Sequence, residues 1–294
     1  MEIKTVGVLG CGLMGHGIAQ ICAQQGWDVV VREVDQERLD KGLGKIRKQL
    51  DRAVEKGKVE KGDADAAIAR IKPTLSYSDL ADSDLVIEAI DEDLDRKLEM
   101  WGEVDPIVKD GAYLATNTSS LPVATQAEAT KRPDRFLGLH FFNPPQVMPL
   151  LEVVKAEQTS DDANELGFEL GKALGKTTVA AGDNRGFIVN RLLVPYMLDA
   201  MRAYEQGVGS IEDIDTGMMA GASHPMGPLT LADFVGLDTL ASIAEVMAAD
   251  YGEERFAAPD TLRKLVDAGD LGRKSGKGFY DYSGEKPVPT NPGR

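Results

Sequence analysis

Cysteine and histidine are scarce in this chain of 294 residues, which contains two cysteines and three histidines. Cys11 and Cys22 belong to no cluster with metal-ligand spacing, so the sequence predicts no metal site. Unclustered cysteines in such small number are typical of a reducing compartment, and we expect a cytoplasmic protein.

Long hydrophobic runs and an excess of positive charge are also absent. No apolar run approaches the ~20 residues of a membrane span, and no signal region precedes the strand predicted to begin at residue 3. The net charge of −15 disfavours nucleic acid and anionic membranes as partners. An anionic ligand would therefore need a local basic patch.

A glycine-rich motif follows the first predicted strand, Ile3 to Leu9. It reads Gly10-Cys11-Gly12-Leu13-Met14-Gly15 and is followed directly by a predicted helix. Gly10 allows a tight turn, Gly12 lets a pyrophosphate approach the backbone, and Gly15 lets the helix pack on the strand. The helix N-terminus offers further N–H groups to phosphate. We predict that this loop, including Leu13 and Met14, binds a dinucleotide; the alternative is a glycine-rich packing turn.

An acidic residue lies at the expected distance after this loop. Glu33 stands at the end of the second predicted strand, which begins at Asp28. An acid at this place accepts the ribose hydroxyls of NAD and repels the 2′-phosphate of NADP. The neighbouring Arg32 could instead accommodate that phosphate. On balance Glu33 favours NAD, and NADP stays open.

A histidine and a glutamate occupy two apolar runs joined by a proline-rich bend. His140 lies in Gly138-Leu139-His140-Phe141-Phe142, and Glu152 lies in Leu150-Leu151-Glu152-Val153-Val154. A carboxylate in a buried strand needs a partner, and adjacent strands would bring the two side chains together. A carboxylate on one imidazole nitrogen fixes the tautomer and makes the other nitrogen a better base. The pair therefore predicts a general base; the alternative is a core histidine.

The N-terminal part of the chain alternates predicted strands and helices. Further strands are expected at residues 84–90, 112–116, 135–142, 150–154 and 177–181, and helices at residues 35–56 and 93–109. Such alternation predicts an α/β fold with a mostly parallel sheet covered on both faces. Residues 35–72 are long for one crossover and basic, which predicts a helical arm projecting from the sheet; the alternative is an ordinary solvated face.

A change of pattern marks a domain boundary near Gly182-Asp183-Asn184-Arg185-Gly186. Beyond it, helices are predicted at residues 187–206, 210–221, 229–249 and 260–268. We therefore expect an NAD-binding Rossmann-like domain at residues 1–184 and an all-α domain at residues 185–294. A small helical domain often buries spare apolar surface against a second copy, so we expect a homodimer.

Six motifs in order resemble one enzyme family, the short-chain L-3-hydroxyacyl-CoA dehydrogenases, which include 3-hydroxybutyryl-CoA dehydrogenases. Besides the glycine loop they are Asn117-Thr118-Ser119-Ser120-Leu121, Gly138 to Pro144 with Glu152, Gly186-Phe187-Ile188-Val189-Asn190-Arg191, His224-Pro225-Met226-Gly227-Pro228 and Gly276-Lys277-Gly278-Phe279-Tyr280. The resemblance implies NAD-dependent interconversion of a 3-hydroxyacyl-CoA and a 3-ketoacyl-CoA. It also implies a Rossmann-like domain with an extra strand pair, followed by a helical substrate and dimerisation domain.

The resemblance assigns catalytic roles to four residues. His140 would exchange a proton with the substrate as general base or acid, and Glu152 would orient it. Ser119 would hold the substrate oxygen, and Asn190 would donate to the same oxygen or to the thioester carbonyl. Taken alone, Ser119 favours a helix N-cap before residues 121–127, and Asn190 favours a surface helix residue.

Further contacts are implied by resemblance only. Glu92, Lys97, Ser119, Asn143 and Lys274 would approach the cofactor, and Lys56 on the basic arm and Ser119 would approach the coenzyme A substrate. A serine expected slightly before Lys56 is replaced by Gln49 here, which puts that coenzyme A contact in doubt.

Two other functions stay open on the sequence. One is a Rossmann dehydrogenase of a free hydroxy acid or sugar acid. The other is a crystallin-like or cofactor-sensing protein without catalysis. The histidine–glutamate pair argues against a pure sensor, and the basic arm argues against a small free acid.

Overall fold

The computed structural model describes residues 3–292 and divides into two units, Met1–Phe187 and Ile188–Arg294. The first unit alternates strands with helices, as its sequence pattern predicts. Its strands are β1 (Thr5–Leu9), β2 (Asp28–Arg32), β3 (Ile71–Thr74), β4 (Leu85–Glu88), β5 (Tyr113–Thr116), β6 (Phe136–Phe141), β7 (Leu150–Lys155) and β8 (Thr177–Gly182). Its helices are α1 (Gly15–Gln24), α2 (Gln36–Glu55), α3 (Lys61–Ala69), α4 (Leu94–Val104), α5 (Val123–Glu128) and α6 (Asp161–Ala173).

These strands form one sheet in the order β3-β2-β1-β4-β5-β6-β7-β8. Every neighbouring pair is parallel except β6 and β7, which are antiparallel. Strand β1 lies between β2 and β4, so the order of connection reverses there, and ligands of open α/β sheets bind at such a point. The predicted Rossmann-like, mostly parallel sheet is confirmed.

Both faces of the sheet are covered because its central strands are apolar on both sides. In β2, Val29 and Val31 belong to the core cluster that contains α1, α2, α3 and α6 residues. Val30 belongs to the opposite cluster, with Met100 and Trp101 of α4. Packed side chains therefore cover both faces of the sheet, and polar side chains lie at the ends of its strands.

The helical arm predicted at residues 35–72 consists of α2, α3 and the edge strand β3. Leu39, Gly42, Ile46 and Leu50 form the buried face of α2, and the apolar members of this set join the core cluster of the sheet. Strand β3 has no counterpart in the sequence prediction, because its residues Ile71-Lys72-Pro73-Thr74 lack an apolar run and pair with β2 alone.

The second unit is helical, as expected for an all-α domain. Its helices are α7 (Val189–Glu205), α8 (Ile211–Gly221), α9 (Pro228–Val235), α10 (Leu237–Tyr251) and α11 (Asp260–Asp267), with short strands β9 (Tyr280–Asp281) and β10 (Val288–Pro289). The single helix predicted at residues 229–249 is wrong, because Gly236, with φ of +99°, separates α9 from α10. No helix within residues 3–292 is long and apolar enough to cross a membrane.

Two helical glycines provide a test of packing at the start of α1. A Cβ on Gly15 would overlap the carbonyl oxygen of Gly10, whereas a Cβ on Gly44 of α2 would meet no atom within 4 Å. We expect Gly15→Ala to lower the free energy of unfolding by about 1–3 kcal/mol and Gly44→Ala to raise it by about 0.5–1 kcal/mol. Urea denaturation of both variants measures this; equal effects would contradict the close approach at Gly15.

Candidate active site

His140 and Glu152 face each other across the only antiparallel pair in the sheet of the described residues. The register places them directly opposite on β6 and β7, so both side chains project from the same face. His140 Nδ1 lies 2.6 Å from Glu152 Oε2. The carboxylate can only accept, so Nδ1 carries the hydrogen and Nε2 is left with its lone pair.

The pair is buried, and two aromatic rings lie beside the imidazole. Glu152 is fully buried, and the side chain of His140 is 7% exposed. The rings of Phe142 and Phe187 lie 4.6 Å and 5.5 Å from the imidazole, measured between centroids. Nε2 makes no hydrogen bond within residues 3–292. It is also not enclosed by protein atoms. The free nitrogen is therefore accessible and available for proton exchange.

A second buried carboxylate lies at the end of β4. Glu88 is fully buried and accepts hydrogen bonds from the Lys97 ammonium at 2.6 Å, the Ile90 amide at 2.8 Å and the Thr116 hydroxyl at 2.6 Å. Lys97 Nζ also lies 3.0 Å from Glu92 Oε2. Burial acts to lower the pKa of Lys97, but the two carboxylates outweigh it and raise that pKa. Lys97 is therefore a buried cation next to the carboxyl end of β4.

Glu92 connects this network to Ser119. Its Oε1 accepts from Thr118 Oγ1 at 2.6 Å, from the Ser119 amide at 2.8 Å and from Ser119 Oγ at 3.3 Å. Partial burial acts to raise the pKa of Glu92, but Lys97 and these donors hold it below its usual range. An ionised Glu92 therefore orients the segment that carries Ser119.

Ser119 does not begin a helix, so that alternative is wrong. Helix α5 begins at Val123 after Pro122, and its first amides, of Val123 and Ala124, donate to Asp183 at 2.9 Å and 2.7 Å. The Asn117 side-chain oxygen accepts from the Phe141 amide at 3.0 Å. This bond fixes the Ser119 segment beside the strand that carries His140.

A cavity of about 770 Å³ lies beside the glycine loop. Glu33 lines it at the end of β2 and is 8% exposed. Its carboxylate accepts from the amides of Cys11 at 2.9 Å and Val34 at 2.7 Å. Each oxygen can accept a second hydrogen bond, which leaves room for the ribose hydroxyls. The ribose contact itself stays a prediction. Other lining residues are Gly12, Leu13, Met14, Arg32, Arg38, Lys41, Lys45, Tyr77 and Arg96.

The glycine loop fits a dinucleotide. Gly10 has φ of +90° and Gly15 packs on Gly10, so the fold itself requires both. A Cβ on Gly12 would meet no atom within 4 Å, so protein packing gives no reason for glycine there. The empty space beside Gly12 is what an approaching pyrophosphate needs.

Neither cysteine is a nucleophile. Cys11 and Cys22 are buried, and burial raises the pKa of each thiol to about 12, with Glu33 adding to the effect at Cys11. Within residues 3–292, no three histidine, cysteine, aspartate or glutamate side chains converge as metal ligands would.

The remaining predicted residues are spread over the chain. Asn143 is exposed just after β6, and Lys56 is exposed at the end of α2. In the second unit, Asn190 lies in the first turn of α7, and Lys274 forms an ion pair with Asp238. His224 Nδ1 lies 2.9 Å from the Tyr196 hydroxyl oxygen, within hydrogen-bond distance.

Sequence reasoning missed Glu88, Thr116 and Asn117. A signal existed for Glu88, because it interrupts the apolar run at residues 84–90 just as Glu152 interrupts its own. A buried acid of this kind predicts a cationic partner. Its partner, Lys97, lies nine residues further on in a different element, so spacing alone does not reveal the pair.

Comparisons with known proteins cover both units. Residues 5–184 match the family model of the 3-hydroxyacyl-CoA dehydrogenase NAD binding domain, and residues 186–282 match that of the 3-hydroxyacyl-CoA dehydrogenase C-terminal domain. A 3-hydroxybutyryl-CoA dehydrogenase of Mycobacterium tuberculosis is 47% identical over 282 residues, 95% of this chain and 99% of the relative. A probable 3-hydroxybutyryl-CoA dehydrogenase of Deinococcus radiodurans is 46% identical over 276 residues, 94% of this chain and 99% of the relative.

Solved structures agree with these relatives. The crystal structure of (S)-3-hydroxybutyryl-CoA dehydrogenase from Ralstonia eutropha aligns with a TM-score of 0.92 at 42% identity and covers 96% of this chain and 100% of that chain. The crystal structure of 3-hydroxybutyryl-CoA dehydrogenase from Escherichia coli aligns with a TM-score of 0.94 at 37% identity, covering 98% of this chain and 61% of that chain.

The buried Glu88–Lys97 pair predicts a large loss of stability when one partner is removed. We expect Lys97→Met to lower the free energy of unfolding by about 3–5 kcal/mol, because it leaves a buried carboxylate unpaired. Adding Glu88→Gln should recover much of this loss. Lys61→Met, which removes the exposed ion pair with Asp65, should cost less than about 0.5 kcal/mol. Urea denaturation checks the set; similar losses for both lysines would refute the buried pair.

Proposed function

The chain belongs to the 3-hydroxyacyl-CoA dehydrogenase family, and on that premise we propose that it interconverts (S)-3-hydroxybutyryl-CoA and acetoacetyl-CoA. The observation that carries this proposal is the 2.6 Å contact between His140 Nδ1 and Glu152 Oε2, since pure binding needs no proton shuttle. The names of the relatives, 42–47% identical over nearly their whole length, support the four-carbon substrate.

His140 is the general base in the oxidative direction. Its Nε2 takes the proton of the 3-hydroxyl group and returns it to the ketone oxygen in the reductive direction. Bound NAD supplies the hydride acceptor for C3, and NADH the hydride donor. Glu152 stabilises the imidazolium formed when Nε2 is protonated, and because it is fully buried its charge is weakly screened.

Ser119 holds the reacting oxygen. The Ser119 hydroxyl lies 3.3 Å from Glu92 Oε1, and the single hydrogen of an alcohol substrate is the one that His140 Nε2 takes. The contact with Glu92 is long for an O–H···O bond, so the hydroxyl can rotate and donate to a ketone instead. Asn190 is the proposed second donor, to this oxygen or to the thioester carbonyl.

The cofactor side of the site is assigned to the glycine loop with Leu13 and Met14, to Glu33, and to Glu92, Asn143 and Lys274. Lys97 is wholly covered, so we assign it an indirect part, in which it fixes the ionised Glu92. On the substrate side, Lys56 is proposed to contact a phosphate of coenzyme A.

We further propose a cytoplasmic homodimer. Support for the dimer comes from exposed apolar side chains in the second unit, including Leu192, Val208 and Phe234, which are 64%, 74% and 55% exposed. Large apolar side chains exposed on a small helical unit are suited to burial against a second copy. The two buried, unbridged cysteines fit a reducing compartment.

Substrate identity is tested by following NADH absorbance with three candidate oxidants. We expect turnover with acetoacetyl-CoA, and rates at least about 10²-fold lower with free acetoacetate, since remote binding energy contributes to the transition state. D-Glucuronate serves as a sugar-acid probe. No turnover with the thioester would contradict the proposal, and equal turnover with free acetoacetate would favour a hydroxy-acid dehydrogenase.

The base is tested by His140→Gln. We expect the rate with acetoacetyl-CoA to fall about 10²–10⁴-fold, because proton transfer to the reacting oxygen is lost, while NADH affinity stays within about twofold. The matched control, His224→Gln, should change the rate less than about threefold. Full activity of His140→Gln would show that another group moves the proton.

A further inference from the structure

His16 is a buried histidine that the proposed chemistry does not use. It is the second residue of α1 and is 5% exposed. Its Nδ1 lies 2.5 Å from the carbonyl oxygen of Gly12 in the glycine loop. Because a carbonyl oxygen can only accept, Nδ1 carries the hydrogen and donates it.

The other ring nitrogen of His16 contacts helix α2. Its Nε2 lies 3.1 Å from Gln49 Nε2, and with Nδ1 protonated the neutral ring offers Nε2 as an acceptor to that amide group. Burial lowers the pKa of His16, the bond to Gly12 acts in the opposite direction, and the Lys45 charge adds to the lowering. The ring is therefore neutral, in the one tautomer that suits both neighbours.

The bond to Gly12 controls the direction of the next amide. The Gly12 carbonyl and the Leu13 N–H belong to one planar trans peptide and point in opposite directions. With the carbonyl turned towards His16, the Leu13 N–H points away from it. Leu13 is 62% exposed and lines the cavity beside the loop. Within residues 3–292, no acceptor lies in hydrogen-bond contact with this amide.

We propose that His16 is a positioning residue for the dinucleotide, which orients the Gly12–Leu13 peptide so that the Leu13 N–H meets the pyrophosphate. Gln49 takes part by fixing the tautomer of His16, so α2 helps to set the geometry of the glycine loop. The identity of the dinucleotide as NAD rests on the proposed function. The geometry of the glycine loop is independent of that function.

A purely structural role for His16 predicts a different pattern of ligand affinities from the positioning role. It would attach α1 to its preceding loop, and its loss would lower stability and weaken every ligand alike. The positioning role predicts a selective loss, confined to ligands that carry a pyrophosphate. ADP-ribose has this group and adenosine lacks it, so the two ligands separate the roles.

Two substitutions of His16 test the proposal without a thioester. His16→Leu removes the donor to Gly12, whereas His16→Asn places an amide N–H near the position of Nδ1. We expect His16→Leu to weaken NADH and ADP-ribose about tenfold, as loss of one charge-assisted hydrogen bond would, with adenosine within about twofold. His16→Asn should recover NADH affinity to within about threefold of the unaltered protein. Calorimetric titration measures the affinities, and thermal unfolding of each ligand-free variant reports its stability.

Three results would overturn the proposal. One is NADH affinity unchanged in His16→Leu. Another is an equal loss for adenosine and ADP-ribose, which would indicate a folding role. The third is no recovery in His16→Asn. If the His16 variants behave as expected but the protein does not oxidise 3-hydroxybutyryl-CoA, the proposed function is wrong and the role of His16 stands.

Gln49→Leu supplies a second test through the partner. Loss of the donor to Nε2 frees the ring to adopt either tautomer, so the bond to Gly12 is kept only part of the time. We expect NADH affinity to fall about two- to fivefold, and His16→Leu/Gln49→Leu to bind no more weakly than His16→Leu alone. Additive losses in the double variant would contradict the link.

Discussion

A buried carboxylate that needs a partner is the constraint on which this site depends. Glu152 sits in the middle of an apolar strand without any exposure, a position that costs free energy unless the charge is compensated. The antiparallel pairing of β6 and β7 supplies His140 directly opposite. The contact with His140 helps to compensate the burial of Glu152. It also fixes the imidazole tautomer and leaves Nε2 as the basic nitrogen.

The two buried carboxylates at this edge of the sheet differ in the partner that each receives. Glu88 is paired with Lys97, whose charge is permanent, and the pair holds Glu92 and the Ser119 segment in place. Glu152 is paired with an imidazole, a side chain that serves as general acid or base. One pair is suited to a fixed scaffold and the other to proton transfer, although both arise from the same need to compensate burial.

Local sequence patterns sufficed for the alternation of strands and helices, the glycine loop and the His140–Glu152 pair, because each depends on residues close together in the chain. The pair was predictable because one short bend joins its two strands. Strand β3 escaped prediction because Lys72 and Pro73 break its apolar pattern, and Gly236 escaped because helical periodicity continues through it. The contacts of Lys97 with Glu88 and of His16 with Gln49 join separate elements, so only the folded chain reveals them.

The proton position on His140, read from its ring ¹⁵N chemical shifts, tests whether Glu152 leaves Nε2 as the basic nitrogen. The ligand-free protein would be measured at about pH 8.5, where an ordinary imidazole is neutral. We predict a protonated Nδ1 bonded to Glu152 and an unprotonated Nε2. In the Glu152→Gln variant the two tautomers should become mixed. A proton on Nε2 in the unaltered protein would contradict the account, because that nitrogen could not then accept the proton of the substrate.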